Sequence, residues 1–304
     1  MCGIFGIIND KNNQAAQTVL EGLKKLEYRG YDSWGISIIP QNQKEIQVDK
    51  HIGKIGEAKT NLPKGLIALG HTRWATHGGV TDNNAHPHLD CTKKIAVIHN
   101  GVVENYQEIK VELLQKGHKF ISETDTEVIA HLIEEKSKSK KINEAIFETF
   151  KLLRGSNAIA VLDYNSQTII ACRNGSPLVV GLGQNQYFLA SDVPAFLKET
   201  NKVYFLNDGE GVILSNSGAK LYDIDSEKEK ILTPQILDWN FTNPKEVTVF
   251  TFKGLHLFLP LSFNCHDCSC YQSISLNIYT LTFWTSNHTL NVSKIPLKTY
   301  EMIV

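Results

Sequence analysis

The sequence lacks an excess of charge of either sign. Its 304 residues contain 31 basic and 32 acidic side chains, which gives a formal net charge of -1 at pH 7. A strongly basic chain would favour nucleic acid or an anionic membrane surface as a partner. The charge balance therefore predicts that neither is an obligatory partner.

Long apolar runs are also missing. No stretch approaches the roughly 18 consecutive apolar residues of a membrane-spanning helix. The opening MCGIF has neither the charged region nor the long apolar region of a signal peptide. Without a secretion signal, the six cysteines are interpreted as thiols and not as a disulfide framework. These features predict a cytoplasmic globular protein, long enough for one large domain or two small ones.

Short apolar segments alternate with amphipathic ones over residues 1–240, which predicts an α+β fold of mainly hairpin-connected strands covered by helices. Helical spacing of apolar residues occurs in four places: at Val19, Leu23 and Leu26, at Ile109 and Leu113, at Val128 and Leu132, and at Ile146 and Phe150. Strands are predicted at Ile4–Ile8, Gly35–Ile39, Leu66–Gly70, Ile95–His99, Ala158–Leu162, Ile169–Cys172, Leu178–Val180 and Tyr187–Ala190.

The composition changes near Glu246. Residues 247–304 contain only two acidic side chains and three lysines, but nine aromatic residues. High β-propensity with so few charges is typical of an aggregation-prone segment. We predict one domain over residues 2–240, followed at 241–304 by a linker and an aberrant tail that is disordered or read from a shifted frame. A small apolar module is the alternative for this segment.

Cys2 stands at the start of the first predicted strand and is followed at once by Gly3. It is either a small core residue or, once Met1 is removed, an N-terminal residue with both a thiol and a free amine. An α-amine with a reference pKa of roughly 8 can accept the thiol proton and return it to a leaving group. The second interpretation makes Cys2 a nucleophile, and it needs a binding site for a substrate.

Dense polar motifs follow the predicted strands, where binding groups usually collect. In chain order the sequence contains CGIFGI, LEYRGYDS, HTRWATHG, NAHPH, HNGVVENY, SETDTEVIAHLI, LRGSNAIAVLD, GSPLVVGLG and ASDVPA. This ordered set covers about residues 2–240. It resembles the glutaminase domain of the glutamine–fructose-6-phosphate aminotransferases, which are N-terminal-nucleophile (class II) amidotransferases. The resemblance implies a four-layer αββα sandwich of two mainly antiparallel sheets, the Ntn-hydrolase type of α+β fold.

The resemblance also implies roles for residues in these motifs. Cys2 is the implied nucleophile, and Asn100 with Gly101 forms the implied oxyanion hole. The forked guanidinium of Arg73 suits the carboxylate of glutamine, and Asp125 suits its ammonium group. The simpler interpretations are a hairpin turn at Asn100 and Gly101, a surface salt bridge at Arg73 and a helix cap at Asp125.

Four more residues are implied at the edge of the site. Trp74, Thr76 and His77 lie in the loop that, in the resembled family, folds over bound glutamine, and Trp74 is placed to gate ammonia transfer. Arg29 lies in the loop that faces the sugar-phosphate domain in that family. An ordinary exposed arginine is the alternative for Arg29.

No metal site and no cofactor are predicted. Carboxylate ligands at matching spacing are missing around the histidines of the motifs, and the resembled family needs no metal. The segment CHDCSC at 265–270 resembles half of a zinc knuckle, but no second pair of ligands follows it. The histidines considered as ligands are His71, His77, His86 and His88.

The predicted function is hydrolysis of L-glutamine to glutamate and ammonia through a thioester on Cys2. The resembled enzymes continue with two sugar-isomerase domains and act on fructose 6-phosphate. No phosphate-binding Ser/Thr cluster follows residue 240, so we expect that the synthase half is absent and that fructose 6-phosphate is a partner only where such a domain is supplied. A homodimer is expected for the full-length family, and the oligomeric state of this chain stays open.

Two alternative functions are left open. The first is an amidotransferase of another type, such as an asparagine synthetase or a phosphoribosyl amidotransferase, although LEYRGYDS and HTRWATHG differ from the loops of those families. The second is a relic that binds glutamine without turning it over. The intact Cys2, Arg73, Asn100 and Asp125 count against the relic, and the missing synthase half counts for it.

Overall fold

The computed structural model describes residues 2–237 and five later strands. The chain falls into two compact units, Met1–Trp239 and Asn240–Val304. The predicted linker and aberrant tail at 241–304, and the CHDCSC segment, otherwise lie outside the described residues and stay predictions. In the second unit, two strands form an antiparallel pair and three form an antiparallel sheet. These strands are Val247–Phe252 paired with Leu255–Pro260, and Ile274–Asn277, Thr280–Thr285 and His288–Ser293.

Fifteen strands in residues 2–237 build two sheets in which the ladders between strands are antiparallel. The strands are β1 (Gly3–Ile8), β2 (Ser33–Ile39), β3 (Gln47–Ile52), β4 (Ile67–Arg73), β5 (His88–Leu89), β6 (Ile95–Gly101), β7 (Asn157–Asp163), β8 (Thr168–Asn174), β9 (Val179–Leu182), β10 (Tyr187–Ala190), β11 (Lys202–Phe205), β12 (Glu210–Ser215), β13 (Gly218–Asp223), β14 (Glu229–Lys230) and β15 (Gln235–Ile236). The first sheet has the order β15-β11-β9-β10-β1-β4-β2-β3, and the second has the order β14-β13-β12-β8-β7-β6-β5.

Helices cover the outer face of each sheet. Helix α1 shares an apolar cluster with the first sheet, and α2, α3 and α4 share another with the second sheet. A third apolar cluster fills the space between the two sheets. The helices are α1 (Ala15–Lys25), α2 (Tyr106–Gln115), α3 (Glu127–Ser137) and α4 (Ile142–Leu152).

Strand β1 shows why the layers stack in this way. Its side chains alternate, so that Ile4 and Ile8 enter the cluster between the sheets while Phe5 and Ile7 pack against α1. A strand buried on both faces is apolar throughout, as β1 is. The helix approaches closely because Gly22 has no side chain: a Cβ there would lie 2.1 Å from a ring carbon of Phe5.

The prediction of an α+β fold with two mainly antiparallel sheets in a four-layer sandwich is confirmed. All eight predicted strands and all four helical patterns correspond to observed elements. The strands β3, β5 and β11 to β15 were not predicted. None of the described helices combines the length and the apolar character needed to span a lipid bilayer.

Candidate active site

A cleft of about 690 Å³ lies where β1 begins and where β4 and β6 end. Both sheets contribute to it, because β1 and β4 belong to the first sheet and β6 to the second. The cleft brings together seven of the nine residues predicted for the site. These are Cys2, Arg73, Trp74 and Thr76 from the first sheet and the loop that follows it, Asn100 and Gly101 from the second sheet, and Asp125 from the segment before α3.

Cys2 lies directly before β1 and is held in place by hydrogen bonds with Trp74 and Asn100. The backbone N–H of Trp74 donates to its Sγ at 3.1 Å, and its carbonyl accepts from the Asn100 side chain at 2.9 Å. The next amide, of Gly3, donates to Thr72 Oγ1 at 3.0 Å. Burial raises the pKa of the Cys2 thiol, although the Trp74 amide and the Arg73 guanidinium act in the opposite direction. The thiol is therefore protonated at neutral pH and needs a base before it can attack.

Asn100 is oriented by a buried histidine. His71 Nε2 lies 2.9 Å from Asn100 Oδ1, and since an amide oxygen only accepts, the histidine donates. This leaves the Asn100 NH₂ group to point at Cys2, where it meets the carbonyl. Burial lowers the pKa of His71 to about 3, so the ring is neutral and one of its nitrogens carries the proton for this bond. An amide donor is thus fixed beside the thiol.

Gly101 ends β6 with a backbone conformation that L side chains rarely adopt, at φ 137°. A Cβ at this position would lie 2.1 Å from the carbonyl oxygen of Ser156. Gly101 pairs with Asn157 in the ladder between β6 and β7. The alternative of a hairpin turn at Asn100 and Gly101 is therefore wrong.

Arg73 ends β4 and is almost completely buried, with 4% of its surface exposed. Its guanidinium donates to the carbonyls of His77 and Gly79 in the following loop, the latter at 3.2 Å. It has no ion-pair partner among residues 2–237. The alternative of a surface salt bridge is wrong, and the cleft contains a cation whose charge no carboxylate within 4 Å compensates.

Asp125 is buried and also lines the cleft. Its Oδ2 accepts from the Val103 N–H at 2.7 Å, which ties the segment after β6 to the segment before α3. Thr126 is the residue that precedes the first turn of α3. Since the Asp125 carboxylate bonds to Val103 and not to an amide of α3, the helix-cap alternative is not supported.

The loop after β4 carries the remaining predicted cleft residues. Trp74 is 49% exposed, and its ring lies 5.6 Å from that of Tyr31. Thr76 lines the cleft, whereas His77 turns its ring towards Tyr106 at 5.9 Å and contributes its carbonyl to Arg73. The structure therefore places Trp74 and Thr76 at the cleft and gives His77 a contact within the loop.

Arg29 does not lie in the cleft. Its guanidinium is 2.8 Å from the Asp192 carboxylate, which also accepts from the Tyr28 hydroxyl at 2.6 Å. Only 8% of Arg29 is exposed, so the alternative of an ordinary exposed arginine is wrong. In the described residues, Arg29 joins the LEYRGYDS loop to the segment after β10.

Two residues of the quoted motifs support the site without having been predicted individually. Asp32 accepts from the Ala75 N–H at 2.9 Å and so fixes the start of the loop that carries Trp74. Thr126 Oγ1 contacts His86 Nε2 at 2.9 Å and His99 Nδ1 at 3.0 Å. Thr126 follows the predicted Asp125 directly, and Asp32 lies three residues after the predicted Arg29 in the same motif; this proximity was the signal that the sequence offered.

Four buried histidines form a layer at the cleft, and two of them, His86 and His99, line it. Burial lowers the pKa of each, so these side chains are neutral in the folded protein near pH 7. Each has a hydrogen-bond partner on a neighbouring Asn or Thr side chain. The layer consists of His71, His86, His88 and His99.

This layer predicts that the protein loses stability in mild acid. In the unfolded chain a histidine takes up a proton near pH 6.5, but in the folded chain the lowered pKa delays that uptake, to about pH 3 for His71. The unfolded state therefore binds more protons below pH 6.5, and the free energy of unfolding falls as pH decreases. We expect a fall of roughly 1 kcal/mol per histidine between pH 6 and pH 5, measured by urea unfolding.

The matched variants are His88→Gln, which removes one buried ring, and His51→Gln, whose ring is 49% exposed. The first variant should lower the pH slope by about one proton, and the second should leave it unchanged. A free energy of unfolding that stays constant between pH 6.5 and 5 would contradict the prediction.

Comparison with known proteins agrees with this geometry. Residues 71–198 match the family model of the glutamine amidotransferase domain. A glutamine–fructose-6-phosphate aminotransferase of Thermococcus kodakarensis is 49% identical over 232 residues, which are 74% of this chain and 38% of that protein. A glutamine–fructose-6-phosphate aminotransferase of Thermus thermophilus is 47% identical over 227 residues, which are 74% of this chain and 37% of that protein. The chain thus spans about two fifths of the length of the curated relatives it matches.

A solved structure has the same fold. The glutamine phosphoribosylpyrophosphate amidotransferase of Bacillus subtilis superposes with a TM-score of 0.62 at 28% identity, over 73% of this chain and 49% of its own. Its identity is well below that of the aminotransferases, which favours the latter as the nearer type. The chain therefore belongs to the N-terminal-nucleophile glutamine amidotransferases, with a domain of the kind that glutamine–fructose-6-phosphate aminotransferases contain.

Proposed function

We propose that this domain hydrolyses glutamine to glutamate and ammonia through a thioester on Cys2. We also propose that, in a longer protein, the ammonia passes to a sugar phosphate such as fructose 6-phosphate. The observation that carries the first proposal is the Cys2 thiol in one cleft with an amide donor, a buried arginine and a buried aspartate. The second proposal rests on the relatives named for fructose 6-phosphate, of which this chain spans about two fifths.

Activation begins with removal of Met1, which turns the backbone nitrogen of Cys2 into an amine. Because burial raises the pKa of the thiol, a nearby base has to accept its proton. The amine is attached to the same residue and has a reference pKa of roughly 8, so it can hold that proton at neutral pH. The Trp74 N–H, which donates to Sγ at 3.1 Å, then stabilises the thiolate.

The thiolate attacks the side-chain amide carbon of glutamine, and the carbonyl oxygen becomes an oxyanion. The Asn100 NH₂ group is held beside Cys2 and can donate to this oxygen, with the Gly101 backbone as the second donor. The C–N bond breaks as the α-amine returns its proton, so ammonia leaves and a thioester remains. Water, deprotonated by the same amine, attacks the thioester and releases glutamate with the thiol regenerated.

Substrate binding is assigned to the two charged residues of the cleft. The buried Arg73 lacks an ion-pair partner among the residues described at 2–237, so a substrate carboxylate would supply the missing countercharge. Asp125 uses Oδ2 for Val103 and suits the ammonium group. Trp74 and Thr76 are proposed to cover the substrate from the loop, with His77 shaping that loop and Arg29 positioning the surface that faces an acceptor domain.

The domain bounds, the cellular location and the oligomeric state are also part of the proposal. The amidotransferase domain is assigned to residues 2–240, and 241–304 to a linker and an aberrant tail. The three cysteines of residues 2–237 are free thiols, which supports a cytoplasmic location. A homodimer is proposed for the full-length relatives and is left open for this chain.

The direct test is ammonia release by the full chain after mass spectrometry has verified removal of Met1. Glutamine should give equal amounts of glutamate and ammonia. Asparagine is one methylene shorter, so its kcat/KM should be lower by about 10-fold or more. Glutamine binding without ammonia release would overturn the proposal and favour the relic, and equal use of both amides would overturn the assignment of glutamine as substrate.

A further inference from the structure

Four metal-ligating side chains converge outside the cleft, on the outer side of the second sheet. They are Cys91, in the turn after β5; His118, after α2; and His131 and Glu134, within α3. One donor atom from each of these side chains lies within 4.8 Å of all the others. We call these four residues the Cys91 cluster. None of them lines the cleft.

The distances within the Cys91 cluster match those of a tetrahedral site. Cys91 Sγ lies 3.9 Å from His118 Nδ1 and 3.6 Å from His131 Nδ1. Glu134 Oε2 lies 3.0 Å and 3.1 Å from the same two nitrogens. Ligands at zinc-bond lengths in tetrahedral geometry are separated by about 3.3 Å for two nitrogens and about 3.6 Å for sulfur and nitrogen. The four distances above therefore lie within a few tenths of an ångström of those expected for such a site, and all pairs of donors lie within 4.8 Å.

The outward-facing nitrogens support the same conclusion. Both histidines direct Nδ1 at the centre of the cluster and Nε2 at a second carboxylate. His118 Nε2 lies at hydrogen-bond distance, 3.1 Å, from Glu135, whereas His131 Nε2 lies 3.7 Å from Glu127, which is an ion-pair distance without a hydrogen bond. A carboxylate behind a histidine fixes its tautomer and ring orientation, and this arrangement recurs behind metal-binding histidines.

A network of ion pairs without a metal is the alternative. Such a network explains the contacts between the histidines and the glutamates. It does not explain why a thiol stands within 4 Å of both Nδ1 atoms that face Glu134. Cysteine, two histidines and a carboxylate form a donor set of the kind that zinc prefers. The side chains of His118 and His131 are buried, whereas Cys91 is exposed, so an ion has a route into the site.

We propose that Cys91, His118, His131 and Glu134 bind one zinc ion at a structural site. The ion would join three separate segments: the turn after β5, the segment after α2 and helix α3. Glu127, behind His131, also accepts from the Ser122 N–H at 2.7 Å. Zinc would thereby stabilise the segment that continues to Asp125, without touching the reacting groups. The expected consequence is greater thermal stability with an unchanged dependence on Cys2.

The test measures metal binding by the full chain, purified with a chelator and then titrated with zinc against a chromophoric competitor. One zinc per chain should bind with a dissociation constant below about 1 μM. Cobalt in place of zinc should give visible d–d bands of a tetrahedral ion together with a thiolate charge-transfer band. Zinc should raise the thermal midpoint.

The variants identify the ligands. Cys91→Ser, at an exposed position, should abolish the thiolate band and weaken binding by more than about 100-fold, whereas Glu135→Gln should weaken it by about 10-fold. Glu112→Gln is the matched exposed carboxylate on α2 and should bind as the original chain does. The triple change of Cys265, Cys268 and Cys270 to serine excludes the CHDCSC thiols and should keep full stoichiometry.

Each contrary result is decisive. Binding weaker than about 1 μM, or a thiolate band that survives in Cys91→Ser, overturns the site. A stoichiometry that falls to zero in the triple variant assigns the metal to the CHDCSC segment and overturns it as well. None of these readouts depends on ammonia release, so failure of this site and failure of the proposed glutaminase function are distinguishable.

Discussion

Cys2→Ala lowers ammonia release from glutamine by about 10,000-fold or more in the processed chain, because it removes the cleft thiol that is proposed to form the thioester. The alanine methyl group keeps the Cys2 carbonyl available to Asn100 and keeps the Gly3 amide on Thr72, so the cleft retains its shape. Release is measured by coupling ammonia to a reductive amination that consumes a nicotinamide cofactor. Cys268→Ser removes a thiol outside residues 2–237 and serves as the matched control with full activity.

The same experiment separates the thiol from the amine. A chain with an uncleaved N-terminal extension keeps the Cys2 thiol but holds its nitrogen in a peptide bond, so it should lose activity by about 100-fold or more. Cleavage of an extension by a protease that leaves Cys2 first should restore activity. Full activity in the extended chain would show that another group is the base, while activity that survives Cys2→Ala would eliminate the thioester.

The sequence predicts the interior strands well because a strand that is buried on both faces consists mainly of apolar residues. In β7, Ala158, Ala160 and Leu162 enter the cluster between the sheets, and Ile159 and Val161 face the helices. This strand is apolar at all of its interior positions, 158–162, and is easily recognised. By contrast, β3 has the sequence QVDKHI and is half-buried or exposed throughout at the edge of its sheet. Its polar composition is that of a loop, and only pairing with β2 makes it a strand.

The site was predictable to the extent that its residues stand in motifs at strand ends. The motif HTRWATHG gave Arg73 and Trp74, but it could not show that Arg73 is buried and satisfied by loop carbonyls. The burial of Arg29 against Asp192 was also hidden, because 163 residues separate them. These contacts depend on the register between elements that are distant in the chain.

The Cys91 cluster is a further example of side chains that are distant in the chain and are brought together only by the fold. His131 and Glu134 are three residues apart on one helix, which is a common spacing with no special meaning. Cys91 and His118 come from two other segments, 40 and 13 residues before His131. A search for close ligand pairs therefore finds CHDCSC and passes over the four side chains that the fold brings together.

The second large effect is expected at Asn100. Asn100→Ala removes the amide donor that lies beside Cys2, so kcat should fall by about 100- to 1,000-fold. Because the donor is needed when the carbonyl oxygen becomes an oxyanion, KM for glutamine should change little. Steady-state ammonia release at several glutamine concentrations measures both constants. Asn201→Ala removes an amide that donates to Leu237 at 3.1 Å outside the cleft, and it should leave both unchanged.

Asn100→Asp makes the test independent of side-chain volume. The carboxylate has the same shape and still accepts from His71, but its second oxygen faces the Cys2 carbonyl and the position of the oxyanion. Two oxygens without a proton repel, so kcat should fall at least as far as in the alanine variant. A variant with normal kcat and a raised KM would instead assign Asn100 to ground-state binding. The backbone of Gly101 would then be the candidate for the oxyanion hole. Gly101 lines the same cleft and has a φ of 137°, which a residue with a side chain rarely adopts.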